Sequence, residues 1–357
     1  MTGSKRSTGI VLAALAVVLV GCSGAAHRSA APTTTTSSTI AEARPAVVPV
    51  TARPAPVCPL SGMPAPGGHV PARPALAIKI DNLAPARPQT GLSRADVLYE
   101  EPVEGGITRF IAIFQCQGAP VVGPVRSGRL IDPEILSQYG PHPLIGYSGA
   151  IAPAVAAIDA SSLIDVGVDR APLSAYYRSP TRFAPHNLYT STAALWAEGA
   201  AEHAAPVAPP AVWSYGAVDP TATPAATVHI AFQYSDVTWT WQPKAGVWFR
   251  SYADTGPATL GEGGQITTNN IIVMRVNMYP SQYVEDPTGS HENLLTLTGS
   301  GQVLVFRNGT MTTGTWNRAT LADTTSYLDR AGHPIAMEPG QTWIELVPQT
   351  VGVGATP

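Results

Sequence analysis

This chain is short of charge. Its 21 Lys+Arg and 24 Asp+Glu make 13% of 357 residues, about half the ~25% of an average soluble protein. The formal net charge is −3, so the counterion release that drives nucleic-acid binding has no source and no nucleic-acid partner is expected. No apolar run reaches the ~20 residues of a membrane helix. No heptad pattern is sustained, which excludes a coiled coil. Only three cysteines occur, Cys22, Cys58 and Cys116, none in a CxxC pair or beside paired histidines, so neither a metal site nor a cofactor is expected. What is plentiful is Gly (33) and Pro (35), which favours strands, turns and linkers over long helices. Hydrophobic content of 45% is enough for a substantial core, and the length suggests about two domains.

The amino terminus carries an address. Lys5 and Arg6 precede the apolar run Ile10 to Val20, too short to span a bilayer but right for a signal-peptide core. The run ends in Leu19-Val20-Gly21-Cys22, which looks like the lipobox of bacterial lipoproteins. Residues 1–21 are therefore expected to be a signal peptide and Cys22 the acylation point. Fatty chains of the palmitate type would hold the protein to the extracytoplasmic face of the cell membrane, since each buried CH₂ contributes ~0.8 kcal/mol. Residues 22–57 are rich in Ala, Pro, Thr and Ser and read as a disordered tether. An exported compartment permits a Cys58–Cys116 disulfide; the alternative is two buried thiols.

The pattern predicts an α+β N-terminal domain over 58–203, a connector over 204–226, a mainly β C-terminal domain over 227–348 and a flexible tail over 349–357. Ala75 to Ile80, Asp96 to Glu104 and Ile107 to Cys116 read as strands, Asp132 to Tyr139, Pro153 to Ser161 and Thr192 to His203 as helices. Strand patterns follow from Thr227 onward, with Asn308-Gly309 as a type I′ turn. Trp239, Trp241 and Trp248 read as packing residues more than as sugar platforms.

Several polar groups stand out against this low charge. Taking Gly105-Gly106 as a two-residue hairpin turn pairs Pro102 with Arg109 and places Glu100, Glu104 and Arg109 on one face. Such a group could act as acid and base or form a structural ion-pair network. Arg126-Ser127-Gly128-Arg129, between a strand and a helix, suits a carboxylate or phosphate, or salt bridges to Asp132 or Glu134. His186-Asn187 in a loop could read a glycan or orient a base. Asp81-Asn82 at a strand end could contact a ligand or cap a turn. Gly146-Tyr147-Ser148-Gly149-Ala150 has some features of a nucleophile elbow, with Asp165 or Asp169 and His186 following, but its fifth position is Ala.

Read in order, the segments Cys58 to Gly62, Lys79 to Asn82, Ala86-Arg87-Pro88-Gln89-Thr90-Gly91, Val103 to Phe110, Gly123 to Ser127, Ala184 to Thr190, Val303 to Gly309 and Pro339 to Glu345 resemble the YerB-type family of bacterial lipoproteins. The resemblance covers roughly residues 58–347. It implies an envelope lipoprotein with an N-terminal and a C-terminal domain and supplies no catalytic residues. The expected function is a membrane-anchored binding or scaffolding protein linked to a wall polymer or a membrane-bound wall enzyme. The alternative is a wall glycan or peptide hydrolase. The candidate ligand residues are Asp81, Asn82, Arg87, Glu100, Glu104, Arg109, Arg126, Ser127, His186 and Asn187.

Overall fold

A computed structural model describes residues 55–357. The signal peptide, Cys22 and nearly all of the tether lie outside the described residues. In the first half the strands are β1 (Leu76–Asp81), β2 (Val97–Pro102), β3 (Thr108–Phe114), β4 (Leu144–Gly146), β5 (Ile164–Asp165), β6 (Tyr176–Arg178) and β7 (Leu188–Thr190). Three α-helices accompany them: α1 (Asp132–Leu136), α2 (Ala152–Asp159) and α3 (Thr192–Ala201). Then come β8 (Thr223–Pro224), β9 (Thr227–Phe232), β10 (Ser235–Gln242), β11 (Val247–Tyr252), β12 (Gly256–Pro257), β13 (Thr267–Thr268) and β14 (Asn270–Val276). The last are β15 (Met278–Val284), β16 (His291–Leu295), β17 (Gly299–Arg307), β18 (Thr310–Arg318), β19 (Ser326–Asp329), β20 (Thr342–Pro348) and β21 (Val353–Thr356). The first half is mixed α and β and the second nearly all strand, as the composition implied.

The two halves share one sheet. Its order is β19-β18-β17-β14-β20-β2-β3-β1-β4-β5, with β8 attached to β18. β20, from late in the chain, lies between β14 and β2 and is parallel to both. Since β3 is antiparallel to both β2 and β1, and β4 and β5 run parallel to β1, six strands (β5, β4, β1, β2, β20, β14) point the same way. Their carboxyl ends form one edge, where open sheets of this kind hold ligands.

Both faces of this sheet are covered, which is why β1, β2, β3 and β20 are buried at every position and read as near-continuous apolar runs. One face packs Ile78, Leu98, Phe110 and Trp343 against a second sheet, β12-β11-β10-β9-β21, which supplies Val228, Val237, Trp239 and Trp248. The other face packs Ala77, Tyr99, Ile111 and Ile344 against Ile135, Leu136 and Ile158 of α1 and α2. Asn308 and Gly309 both take positive φ, the requirement of the type I′ turn. Ser191 caps α3, its hydroxyl accepting from Ala194 N at 3.1 Å.

Two expectations need correction. Residues 353–356, read as part of a flexible tail, form β21 on the edge of the second sheet, pairing Val353 with Ile230 and Ala355 with Val228. The β2–β3 hairpin is also longer than two residues. Val103 N donates to Ile107 O, and Glu104–Gly106 make a single 3₁₀ turn with both glycines at positive φ. Pro102 therefore pairs with Thr108, Glu101 with Arg109 and Glu100 with Phe110. A one-residue slip moves every side chain to the other face.

Cys58 and Cys116 are joined by a disulfide, 58 residues apart in sequence and with Cα atoms 5.8 Å apart. Closing a loop of that length removes about 4 kcal/mol of unfolded-state freedom in the chain-entropy account. Replacing both cysteines by serine is expected to lower the unfolding free energy by about 2–5 kcal/mol in urea titrations. An unchanged midpoint would remove the bridge from the stability account.

Candidate functional site

The corrected register divides the ten candidate residues between the two faces of the sheet. Glu100 turns toward the second sheet and is fully buried. Its Oε1 accepts from Asn82 Nδ2 at 3.1 Å and Thr108 Oγ1 at 2.6 Å, and its Oε2 from Arg250 Nη2 at 2.5 Å. Arg250 also donates to Glu345 Oε1 at 3.2 Å, which accepts from Trp239 Nε1 at 2.9 Å. Asn82 Oδ1 accepts from Gln89 Nε2 and Tyr252 OH. Arg87 lies 3.5 Å over the Tyr252 ring and reaches Asn82 O and Ser235 Oγ. These residues fasten the two sheets together, and apart from Arg87, which reaches the exposed Asp254, they are buried. Burial pushes Glu345 well above the usual carboxylate range, reinforced by Glu100 and opposed by Arg250.

On the opposite face a row of alternating charge crosses three strands: Glu101 on β2, Arg109 on β3 and Asp81 on β1. Lys79, one step back on the same face, pairs with Glu101 and, at 2.7 Å, with Asp132 Oδ1. Glu104 accepts from Arg129 Nε at 2.9 Å and Nη2 at 2.5 Å, and from Arg109 Nη2 at 3.3 Å. Arg129 Nη1 is 2.9 Å from Glu285, and Glu292 Oε1 accepts from Leu130 N at 2.6 Å. These ion pairs are nearly solvent-free, so their attraction is offset by desolvation, and loss of one partner would strand a charge.

The end of this network at Asp81 meets water through Arg126 and His186. Asp81 terminates β1, its Oδ1 accepting from Leu83 N at 3.0 Å. Its Oδ2 is 2.7 Å from His186 Nδ1 and 3.2 Å from Arg126 Nε. A carboxylate only accepts, so Nδ1 carries the hydrogen that His186 shares with Asp81. The Asp81 carboxylate is 2% exposed, Arg126 25% and His186 18%. Backbone pairing puts them together. Asp81 N donates to Pro124 O, Arg126 N to Lys79 O and Val125 N to Leu188 O, and His186 N closes a turn on Phe183 O. Asn187 braces that turn, accepting from Arg178 Nη1 and donating to Ser179 O and Arg182 O. Ser127 Oγ lies at the edge of hydrogen-bonding reach of Arg126, at 3.5 Å.

The arrangement bears directly on the hydrolase alternative. Glu100 and Glu104 lie in separate clusters, and Glu104 is held by two arginines, so they do not flank a common space as an acid–base pair must. The Ser148 relay is not assembled either: His186 is held by Asp81, and Asp165 accepts from Tyr147 OH at 2.7 Å. Among the described residues, no group of three or more His, Cys, Asp or Glu could hold a metal ion. Sequence reasoning missed Lys79, Glu101, Glu285, Glu292, Arg250 and Glu345. The available signal was a charge inside an apolar strand, as in Ala77-Ile78-Lys79-Ile80 and Ile344-Glu345-Leu346.

Burial raises Glu292 to about 7, against the Leu130 hydrogen bond and Arg129, with Glu285 adding to the rise. Burial likewise raises Glu101, Glu134, Asp96 and Glu285. An unfolded carboxyl titrates near ~4.3. The folded chain therefore keeps protons that the unfolded chain has lost, and this contribution is complete below about pH 4 and lost as pH rises through about 7. The urea midpoint is expected to fall between pH 5.5 and 8, and Glu292→Gln to flatten that fall. A midpoint that climbs over this range would contradict the assignment.

Comparisons with known proteins agree with this architecture. The family described as "Protein of unknown function (DUF3048) N-terminal domain" matches residues 60–205, and its C-terminal domain counterpart matches residues 228–344. A Bacillus subtilis (strain 168) protein named "Putative lipoprotein YerB" is 27% identical over 283 residues, covering 76% of this chain and 81% of that protein. A crystal structure of the YerB protein from Bacillus subtilis superposes with a TM-score of 0.72 at 23% identity, covering 84% of this chain and 99% of that one.

Proposed function

The chain belongs to the two-domain DUF3048 family of YerB-like proteins, and from that premise we propose that it is a lipid-anchored, extracytoplasmic binding protein for an anionic cell-wall polymer. The lipobox-like Leu19-Val20-Gly21-Cys22 supports acylation at Cys22, and the named lipoprotein relative supports the same anchor. No helix among the described residues is long and apolar enough to cross a membrane.

The observation that carries the reading is the Asp81–Arg126–His186 group at the carboxyl ends of the parallel strands. Here a guanidinium and an imidazole meet water while the neighbouring carboxylates are committed to ion pairs. Arg178 and Arg182 precede His186 in sequence and bond to the Asn187 amide and to backbone carbonyls rather than to acids, and Asp81 is the acid paired with His186, which supports a cationic lip. Guanidinium forks match phosphodiester and carboxylate oxygens. Asp81 acts as a positioning residue, orienting both Arg126 and His186.

Equilibrium binding of the purified full chain to isolated sacculi tests this. Binding is expected to weaken with salt, as surface electrostatics does, and to fall about ten-fold or more in Arg126→Ala with no soluble product released at any stage. Undiminished binding by Arg126→Ala would sink the proposal, as would release of muropeptides or sugars.

A further inference from the structure

The opposite edge of the same sheet holds a second candidate site. Strands β14, β20 and β2 are adjacent and parallel, so the residues just before them, Asn269, Gln341 and Asp96, stand in a row. Neighbouring strands are ~4.8 Å apart, so three of them span roughly 10 Å, the breadth of a small ring compound and its substituents. The row lines a cleft of about 300 Å³, shared with Ser93, Gln117 and Thr267, at the lower end of the roughly 300–1,000 Å³ of small-molecule sites. Both halves of the chain contribute.

Asp96 is the one ionisable residue of the lining. It is 3% exposed, and its Oδ2 accepts from the backbone N–H groups of Gln115 and Cys116 at 2.7 and 3.1 Å. The amides, by contrast, are held by one end with the other left over. Gln341 Nε2 donates to Leu92 O at 2.8 Å and Ala95 O at 2.7 Å, leaving Oε1 without a partner among the described residues. Asn269 Oδ1 accepts from Gln341 N at 3.1 Å, leaving Nδ2. Gln117 Oε1 accepts from Arg94 Nη1 at 3.4 Å, leaving Nε2. Thr267 adds an uncommitted hydroxyl. A side chain at position 340 would overlap the Asn269 amide, so Gly340 is what lets that amide lie on the wall.

Anchored amides present fixed donors and acceptors at little entropic cost. The lining offers an ionic ligand only the buried Asp96, whereas a ligand dense in neutral donors and acceptors matches the leftover amides and hydroxyl. We propose that this cleft binds one neutral, hydroxyl-rich sugar unit of a glycan. A peptide is the less suited occupant, because the leftover groups are side-chain amides and a hydroxyl and no strand edge runs along them for main-chain pairing. This proposal is independent of the cationic lip and of the reading placed on it.

The test is titration of the purified full chain with N-acetylglucosamine and its β-1,4-linked disaccharide, followed by ligand-observed NMR or calorimetry. Tri-alanine and glucosamine serve as controls. Saturable binding in the millimolar range is expected, stronger for the disaccharide and weakened ten-fold or more by Gln117→Ala, whose side chain is exposed. It should be abolished by Thr267→Trp, which fills the cleft. Both variants should keep the wild-type melting temperature, and Arg126→Ala should bind the sugars normally. Absence of saturable sugar binding would overturn the proposal. So would equal binding of either control, or binding that both cleft variants leave intact.

Discussion

One guanidinium ties the molecule together. Arg250 of β11 lies between Glu100 of β2 and Glu345 of β20, all three fully buried. The rings of Phe110, Trp239, Tyr252 and Trp343 surround it, centred 4.9–5.4 Å from the guanidinium carbon. Dispersion and cation–π attraction offset part of the cost of taking the guanidinium and its carboxyl partners out of water. The geometry requires β2 and β20 to be side by side and the second sheet to be closed over them. Residues 100, 250 and 345 are far apart in sequence, so the cluster forms only when both halves of the chain are in place.

That requirement explains where the accessible chemistry lies. With β20 inserted between β14 and β2, the parallel strands have two ends and buried faces. The faces are spent on two cores and two ion-pair systems. At the carboxyl edge Asp81 pairs with Arg126 and His186, and at the amino edge Asn269 and Gln341 stand beside Asp96.

Much of this was legible in the residues. The apolar runs around Ile78, Leu98 and Ile111 marked β1, β2 and β3, and Asn308-Gly309 marked its turn. Asp81, Arg126 and His186 were singled out separately, and folding brings Arg126 and His186 each within 3.2 Å of Asp81. The hairpin register was not legible, because Glu104-Gly105-Gly106 can be counted as a two-residue turn or as a 3₁₀ turn with one more residue. That single residue sends Glu100 into the inter-sheet cluster. The shared sheet was hidden for a different reason: the apolar pattern of Trp343 to Val347 marks a strand buried on both faces without naming its neighbours. β21 escaped because Val353-Gly354-Ala355-Thr356 has little β propensity of its own and is held by pairing with β9.

Through the β14–β20–β2 junction and Arg250 the described residues fold as one cooperative unit. Urea unfolding of the full chain can be followed at once by tryptophan fluorescence and by hydrogen exchange at the amides of 76–81 and 108–114. Six of the seven tryptophans lie beyond residue 212, so the first probe reports chiefly on the second half and the other on the first. The account predicts coincident transitions with one midpoint. Two separated midpoints, with the first half protected after the fluorescence change is complete, would contradict it.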